Sequence, residues 1–296
     1  MIHLKVLAAV LIWGAAFVFT KIALAEISPV TLVTLRCFIA SIFLLVIAGK
    51  KLKIRSIKPR EWLNLAALSI VGICIQQTLQ GYALMHTSAN HGGWLITSAP
   101  IMVAFFLFLS GERIRKMQTA GLILGFAGSM TVLVSRQDYS TIMGMNTGDI
   151  VFLMSSFTWA VYVIMASKLL KGWGQLRVIA LCMAFSFCIM AVFCLGTGSM
   201  HEINNLSSKG ILSVCYLGFL SSGLGYLFWN SGVDVLGPSV TASFLYAEPF
   251  SAAAAGMLVL GEKLNFTAVA GGIVIMFGLY MVNKSAGKRI SVCEPV

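Results

Sequence analysis

One carboxylate, Glu248, lies deep inside a long apolar stretch of the sequence. It follows Pro238 by about ten residues, or roughly 15 Å of helix, which is near the middle of a bilayer. A charge at that depth is costly, so we expect the side chain to be paired, protonated or in contact with an aqueous cavity. Two roles are weighed equally. Glu248 either contacts a substrate amine or carries a coupled proton, or it is a protonated carboxyl bonded to the helix backbone that Pro249 interrupts.

Arg36 is the second charged residue inside an apolar stretch, about seven residues from its start. A guanidinium suits a substrate carboxylate, but the long side chain could also extend to the membrane interface. We favour a structural role for Arg36. A contact between Arg36 and Glu248 is a further alternative.

Three glutamines, Gln76, Gln77 and Gln80, share another apolar stretch. Gln76 and Gln80 are four residues apart and therefore lie on one helix face. Unsatisfied amides in hydrocarbon are unfavourable, so these side chains need partners. The favoured interpretation is the hydrogen-bonding wall of a substrate cavity, which Tyr82 extends toward the outer end. The alternative is a clamp between helices.

Aromatic side chains complete the predicted cavity. They are Trp13, Trp159, Tyr162, Tyr226 and Tyr246. Plain core packing is an equal alternative for Trp13 and Trp159, which occupy matching, deep positions. Trp94 and Trp229 lie near the ends of their stretches, and we interpret them mainly as interface anchors.

Ten apolar stretches must position these side chains, and each is long enough to cross a bilayer as a helix. They are Val6–Ala25, Pro29–Gly49, Trp62–Met85, His91–Leu109, Met117–Ser135, Ile150–Ser167, Val178–Gly196, Gly210–Gly232, Pro238–Leu260 and Leu264–Asn283. The composition agrees, since 58% of residues are apolar and only 10% are charged. Soluble domains carry about 25% charge, so an ordinary soluble enzyme is excluded.

The basic residues predict orientation rather than nucleic-acid binding. The net charge is +11, and most of the 21 Lys and Arg residues fall in alternate loops. Cytoplasmic loops are enriched in these residues, so we expect both termini to be cytoplasmic.

The two halves of the chain resemble each other. Pro100, Gly111-Glu112, Ala120-Gly121 and Gly128 recur at nearly constant spacing as Pro249, Gly261-Glu262, Ala270-Gly271 and Gly278. An odd number of spans per half would insert the second copy upside down, as in many secondary transporters. We therefore predict an all-α integral membrane protein with ten transmembrane helices in two inverted five-helix repeats. The predicted parts are the first repeat at 1–135, a linker at 136–149, the second repeat at 150–283 and a cytoplasmic tail at 284–296.

The small residues of the fifth and tenth stretches predict a close helix pair. Gly121, Gly125 and Gly128 in one stretch, and Gly271, Gly272 and Gly278 in the other, recur near helical spacing. Small residues let transmembrane helices approach each other, so we interpret these glycines as packing residues.

Several of these features together resemble the EamA family of the drug/metabolite transporter superfamily. They are Trp13-Gly14, Pro29 followed by Arg36, Glu248-Pro249 and Gly261-Glu262, within ten spans arranged as two repeats. The resemblance implies a carrier in the inner (plasma) membrane that exports amino acids or related metabolites. It also implies a cavity between the repeats, lined by spans one, three, four, six, eight and nine.

The sequence therefore favours a secondary transporter for a small molecule, with alternating access driven by the substrate gradient. Proton exchange at Glu248 is an open alternative. An exporter of hydrophobic or cationic drugs is the near alternative, and a non-transporting membrane partner or sensor is the alternative from another class. Nucleotide-binding, metal-ligand and nucleophile motifs are absent from the sequence, so we expect no enzyme activity, no metal and no cofactor. The expected partners are the lipid bilayer and the small-molecule substrate, without nucleic acid. Monomer and homodimer both remain open.

Overall fold

The computed structural model describes residues 1–52, 54, 57–87, 92–93, 95–112, 114–134, 147–169, 172–260 and 266–290. Throughout these ranges, every regular element is a helix. Six helices are long and apolar enough to cross a membrane, and Ile96–Leu109 and Ala270–Val282 are shorter apolar helices. Large apolar side chains such as Val46, Leu63 and Val192 are at least 70% exposed. Such a surface fits a lipid environment rather than water.

The α-helices are numbered in chain order. They are α1 (Ile2–Leu24), α2 (Pro29–Ala48), α3 (Pro59–Ser69), α4 (Gln76–His86), α5 (Ala99–Leu109), α6 (Lys116–Val134), α7 (Thr147–Leu169), α8 (Gln175–Gly196), α9 (Ser208–Tyr216), α10 (Tyr226–Leu236), α11 (Pro238–Ser243), α12 (Glu248–Leu260) and α13 (Phe266–Ile290).

Helix starts follow from local sequence. Ser28 caps α2 by accepting a hydrogen bond from the Thr31 N–H. Pro29 occupies the first turn, where its missing N–H would have had no partner within the helix. Ser207 caps α9 in the same way through the Gly210 N–H. Gly237, at φ +82°, separates α10 from α11, and an L residue with a side chain rarely adopts that backbone.

Two helical paths contain a π-helical segment that hydropathy alone does not reveal. Ile70–Ile75 joins α3 to α4, and Leu217–Gly225 joins α9 to α10. The third and eighth predicted spans are therefore composite rather than uniform α-helices. A π turn changes the local backbone pairing and is frequent at functional sites.

A 3₁₀ segment also precedes a proline at one place in each half of the chain. Ile96–Ser98 leads directly into the Ala99-Pro100 start of α5, and Phe244–Ala247 leads directly into the Glu248-Pro249 start of α12. Proline lacks an N–H and cannot continue the preceding hydrogen-bond ladder. Both helical paths thus change their winding just before proline.

Helices α6 and α13 pack closely through the predicted glycines. A Cβ at Gly121 would stand 2.7 Å from the Gly278 carbonyl oxygen, and one at Gly128 would stand 2.8 Å from the Gly271 carbonyl oxygen. The packing role predicted for these glycines is confirmed. Gly272 differs, since it faces the Phe250 ring.

Several helix bounds differ from the bounds of the predicted spans and parts. Helix α1 begins at Ile2 instead of Val6, and α7 begins at Thr147, inside the predicted linker 136–149. The predicted tail 284–296 begins as helix, because α13 continues to Ile290. Residues 135–146 and 291–296 lie outside the described residues. The division into two repeats stays a prediction at this point.

Candidate functional site

A cavity at the centre of the helices collects most of the polar side chains singled out from the sequence. The space between its lining atoms, including the part open to solvent, is about 410 Å³. The lining residues are Trp13, Ala16, Phe17, Thr20, Arg36, Gln76, Gln77, Gln80, Ile96, Trp159, Ser221, Tyr226, Leu245 and Glu248.

Arg36 is held in the cavity wall by three neutral side chains. Its Nε donates to Ser222 Oγ at 2.8 Å, its Nη2 donates to Ser221 Oγ at 2.9 Å, and its Nη1 donates to Gln77 Oε1 at 2.6 Å. The side chain is only 4% exposed. The guanidinium therefore does not extend to an interface, and the partners that hold its positive charge are all uncharged.

The glutamines take different parts in this wall. Gln77 donates from Nε2 to Tyr226 Oη at 2.8 Å and so links Arg36 to that ring. Gln76 donates from Nε2 to Ser155 Oγ at 3.2 Å, which pins α4 to α7. Its Oε1 is buried without a hydrogen-bond partner in the described part of the chain. Gln80 also lines the cavity. Gln76 therefore links two helices, as a clamp would, and all three glutamines also line the cavity.

Glu248 lies at the start of α12, just after the 3₁₀ segment, and is 3% exposed. Its Oε2 finds no hydrogen-bond partner among the residues that the structure describes. Within those residues, neither the helix backbone nor Arg36 is bonded to this atom. Glu248 lines the cavity, and a buried acceptor left unpaired there is available to a ligand donor.

Five aromatic rings, Trp13, Trp159, Tyr162, Tyr226 and Trp229, form a buried cluster beside the cavity, which we call the ring barrier. The Trp13 ring centroid lies 5.2 Å from those of Trp159 and Trp229 and 5.4 Å from that of Tyr226. The Trp159 and Tyr162 centroids are 5.2 Å apart. These spacings are typical of favourable aromatic pairs.

Backbone carbonyls of the two π segments hold this cluster. Tyr226 Oη donates to the Gly72 carbonyl at 3.3 Å, and Trp13 Nε1 donates to the Ser221 carbonyl at 3.0 Å. Gly72 itself is required here, since a Cβ would stand 2.0 Å from the Tyr162 ring. The two π segments therefore help to position the rings of Trp13 and Tyr226.

Three predictions about aromatic residues are corrected. Trp229 is not an interface anchor, because it is fully buried against Trp13 and Trp159. Tyr82 does not line the cavity, because its ring is 48% exposed and packs against His86. Tyr246 is buried outside the lining, and its ring occupies the space that a side chain at Gly125 would need.

Tyr162 and Trp94 have separate outcomes. Tyr162 lies in the ring barrier and is not part of the cavity lining. Trp94 lies outside the described residues, so its predicted anchoring role stays a prediction.

Sequence reasoning missed Ser221 and Ser222. They are 1% and 2% exposed and accept two of the three hydrogen bonds from Arg36. A pair of serines in an apolar stretch, opposite a buried arginine that needs acceptors, was the available signal. Their register was hidden by the π segment that contains them.

The EamA-like transporter family matches residues 1–134 and 146–284, which is nearly the whole chain. The chain belongs to this family. Its relatives are therefore membrane transporters rather than enzymes, and the chain is a multi-pass membrane transporter with a small-molecule substrate.

Individual relatives cover almost the full length. An uncharacterized transporter of Archaeoglobus fulgidus is 28% identical over 94% of this chain and 96% of its own. A probable terminal-alkyne amino-acid exporter of Streptantibioticus cattleyicolor is 26% identical over 97% and 95%. A probable amino-acid metabolite efflux pump of Escherichia coli is 24% identical over 93% and 92%.

A solved structure, described only as "Crystal structure of protein", shares the fold. It aligns with a TM-score of 0.77 and 18% identity, covering 96% of this chain and 97% of that chain. At that identity the match speaks for the fold alone.

Proposed function

We propose that this transporter exports small zwitterionic metabolites, with amino acids foremost. The observation that carries the proposal is that Arg36 and Glu248 line one cavity without bonding to each other. A guanidinium and a carboxyl group held apart in a buried site are complementary to a molecule that carries both a carboxylate and an ammonium. A substrate carboxylate would use the N–H groups of Arg36 left free by its neutral partners. A substrate ammonium would donate to Glu248 Oε2.

Other lining atoms support an amino-acid ligand. Gln76 Oε1 and Trp159 Nε1 are also buried without partners in the described part of the chain, so they offer one more acceptor and one more donor. Trp13, Phe17 and Tyr226 provide apolar and aromatic surface for a side chain. The names of the Streptantibioticus and Escherichia relatives point to the same substrate class.

Alternating access between two inverted five-helix repeats is the proposed mechanism, and matching irregularities support it. A π segment interrupts one path in each half, at Ile70–Ile75 and at Leu217–Gly225. A 3₁₀ segment precedes a proline in each half, and the matching residues Trp13 and Trp159 meet in the ring barrier. Two similar units of opposite orientation can open toward either side at nearly equal energy.

Membrane orientation follows from charge placement. We propose an inner-membrane location with both termini cytoplasmic, because the loops assigned to that side hold most Lys and Arg residues. Reporter fusions at each terminus test it. Activity of a periplasm-dependent reporter at either terminus would contradict the orientation.

The substrate proposal is tested by uptake into liposomes that contain purified protein. The panel is an apolar amino acid, its methyl ester, which lacks the carboxylate, and its N-acetyl derivative, which lacks the ammonium. After subtraction of uptake into protein-free liposomes, we expect the zwitterion to move at least tenfold faster than either derivative, and Glu248→Gln to reduce its transport at least tenfold. Glu294→Gln, in the tail, is the matched control.

The same panel separates the alternatives. Faster movement of the ester would favour an exporter of hydrophobic cations, for which Glu248 and the surrounding rings would also be suitable. Equal movement of the N-acetyl derivative would reject amine recognition. Failure of a folded protein to move any member of a broad amino-acid panel would favour the non-transporting partner or sensor.

A further inference from the structure

A second cavity lies at the opposite end of the ring barrier. It contains about 670 Å³ of space, part of it open at the surface. Its walls come from the ends of α7 and α10, the starts of α8 and α11, and the segment after α5. The lining residues are Glu112, Ala166, Ser167, Lys168, Gln175, Asn230, Val233, Asp234, Gly237 and Pro238.

The ring barrier contacts both cavities. Trp13, Trp159 and Tyr226 line the central cavity. On the other side, Tyr162 Oη donates at 3.0 Å to Oδ1 of Asn230, which lines the second cavity. One layer of aromatic side chains thus lies between the two cavities, and one hydrogen bond links that layer to the second cavity.

The layer between the cavities is tightly closed. Each of its five side chains is at most 8% exposed. Trp229 fills the middle, with its ring centroid 5.2 Å from that of Trp13 and 5.5 Å from that of Trp159. A solute that passes from one cavity to the other through this layer must displace these rings.

We infer that the second cavity is the other mouth of the transport path and that the ring barrier is its closed gate. This inference rests on the proposed function. The mouth carries two carboxylates, Glu112 and Asp234, and one ammonium, Lys168. It therefore suits the same class of small solute that the central cavity would bind, one with an ammonium and a carboxylate. By the proposed orientation, this mouth faces the cytoplasm.

Cysteine accessibility tests the gate without any solute. In a background with the seven native cysteines replaced, Gln80→Cys places a thiol in the central cavity and Ser167→Cys places one in the second cavity. Each variant is labelled with a membrane-impermeant methanethiosulfonate reagent in sealed vesicles of either orientation. We expect the two thiols to react from opposite sides, each at least tenfold faster from its own side. Reaction of both thiols from the same side would overturn the inference.

Trp229→Ala, added to each cysteine variant, tests the barrier itself. We expect the preference for one side to fall below threefold for both thiols. Tyr162→Phe keeps the ring and removes the bond to Asn230, so we expect an intermediate preference and a fold less disturbed than in Trp229→Ala. Trp62→Ala is the control, because Trp62 packs against Phe185 away from the barrier.

Folding is checked by size-exclusion chromatography in detergent, and Trp229→Leu replaces Trp229→Ala if the latter aggregates. An unchanged tenfold preference in a folded Trp229 variant would reject the gate. Sided labelling of the parent together with no transport of any amino acid would reject the substrate proposal alone, because labelling requires no solute.

Discussion

Arg36 donates from Nη1 to Gln77 Oε1 at 2.6 Å, and the same amide donates from Nε2 to Tyr226 Oη at 2.8 Å. A buried cation in the cavity wall is thereby connected to the ring barrier. The connection continues from Tyr226 Oη to the Gly72 carbonyl. One hydrogen-bonded path therefore runs from the Arg36 guanidinium through Gln77 to the ring of Tyr226.

Arg36→Lys should destabilise the protein although it keeps the charge. A single ammonium cannot reach the three acceptors that the planar guanidinium serves. Loss of hydrogen bonds to a buried charged group costs about 1.5–3 kcal/mol each, so we expect a drop of about 2 kcal/mol or more in the free energy of unfolding. Thermal unfolding in detergent measures it. Arg60→Lys, at the exposed start of α3, is the control, and equal stability of the two variants would contradict the argument.

Glu248→Gln should abolish the pH dependence of transport. The amide keeps the size of the side chain and can still accept a hydrogen bond, but it cannot exchange a proton in this pH range. Uptake rates in liposomes between about pH 5.5 and 8.5, normalised to the rate at pH 7, are the measurement. A pH profile in the variant that matches the parent would remove Glu248 as the coupling group and leave it as a binding or structural residue.

Gly278→Ala should weaken the packing of α6 against α13. The added Cβ would stand 2.6 Å from the Gly125 nitrogen and 2.7 Å from the Gly121 carbonyl oxygen. These are backbone atoms, so the helices must separate, and overpacking of this kind costs about 1–3 kcal/mol. A lower melting temperature is expected. Gly196→Ala meets no atom within 4 Å and should leave the melting temperature nearly unchanged. If both alanines behave alike, the helix contact is not the cause.

Two glutamates outside the membrane should make stability depend on acid pH. The Ser207 hydroxyl and N–H donate to Glu26 and hold its pKa below the ordinary 4.5. Burial raises the pKa of Glu202, but hydrogen bonds from Ser28 and Thr31, together with the nearby His201, bring the net value below 4.5. A lowered folded-state pKa stabilises the fold above the ordinary value, and this stabilisation is lost as pH falls through the lowered one.

We therefore expect the melting temperature of the parent to fall below pH 4.5, and the double variant Glu26→Gln, Glu202→Gln to show a shallower fall. Melting curves from about pH 7 to pH 3 in detergent provide the test, with Glu294→Gln as control. A double variant whose pH profile overlays that of the parent would show that other carboxylates govern acid stability.

The sequence predicted which polar residues converge, because charge and amides in hydrocarbon have few tolerable places. Arg36, Gln76, Gln77 and Glu248 do line one cavity. Trp229 was misplaced because its distance from the apparent end of the span suggested an interface. The helix in fact continues to Leu236. Tyr82 was misplaced because sharing a helix with the glutamines does not mean sharing their face.

The structural role that the sequence favoured for Arg36 describes only part of what the structure shows. Its side chain is fixed by three neutral partners, as a structural residue would be, yet it also lines the cavity. Hydropathy does not reveal that one side chain is both fixed by hydrogen-bond partners and part of the cavity lining. Acceptors for the guanidinium come from Ser221 and Ser222 on a distant segment, and no local pattern specifies that pairing.

Each π segment also sets the direction, around the helix axis, in which the side chains beyond it point. Successive residues of an α-helix are about 100° apart around the axis, so deletion of one residue from Ile70–Ile75 would restore an α-helix and turn everything beyond it by about that angle. Gln76, Gln77 and Gln80 would then leave the cavity while the apolar length of the span hardly changed. The same argument applies to Tyr226 after Leu217–Gly225. Each π segment therefore decides which side chains of the helix beyond it line the cavity.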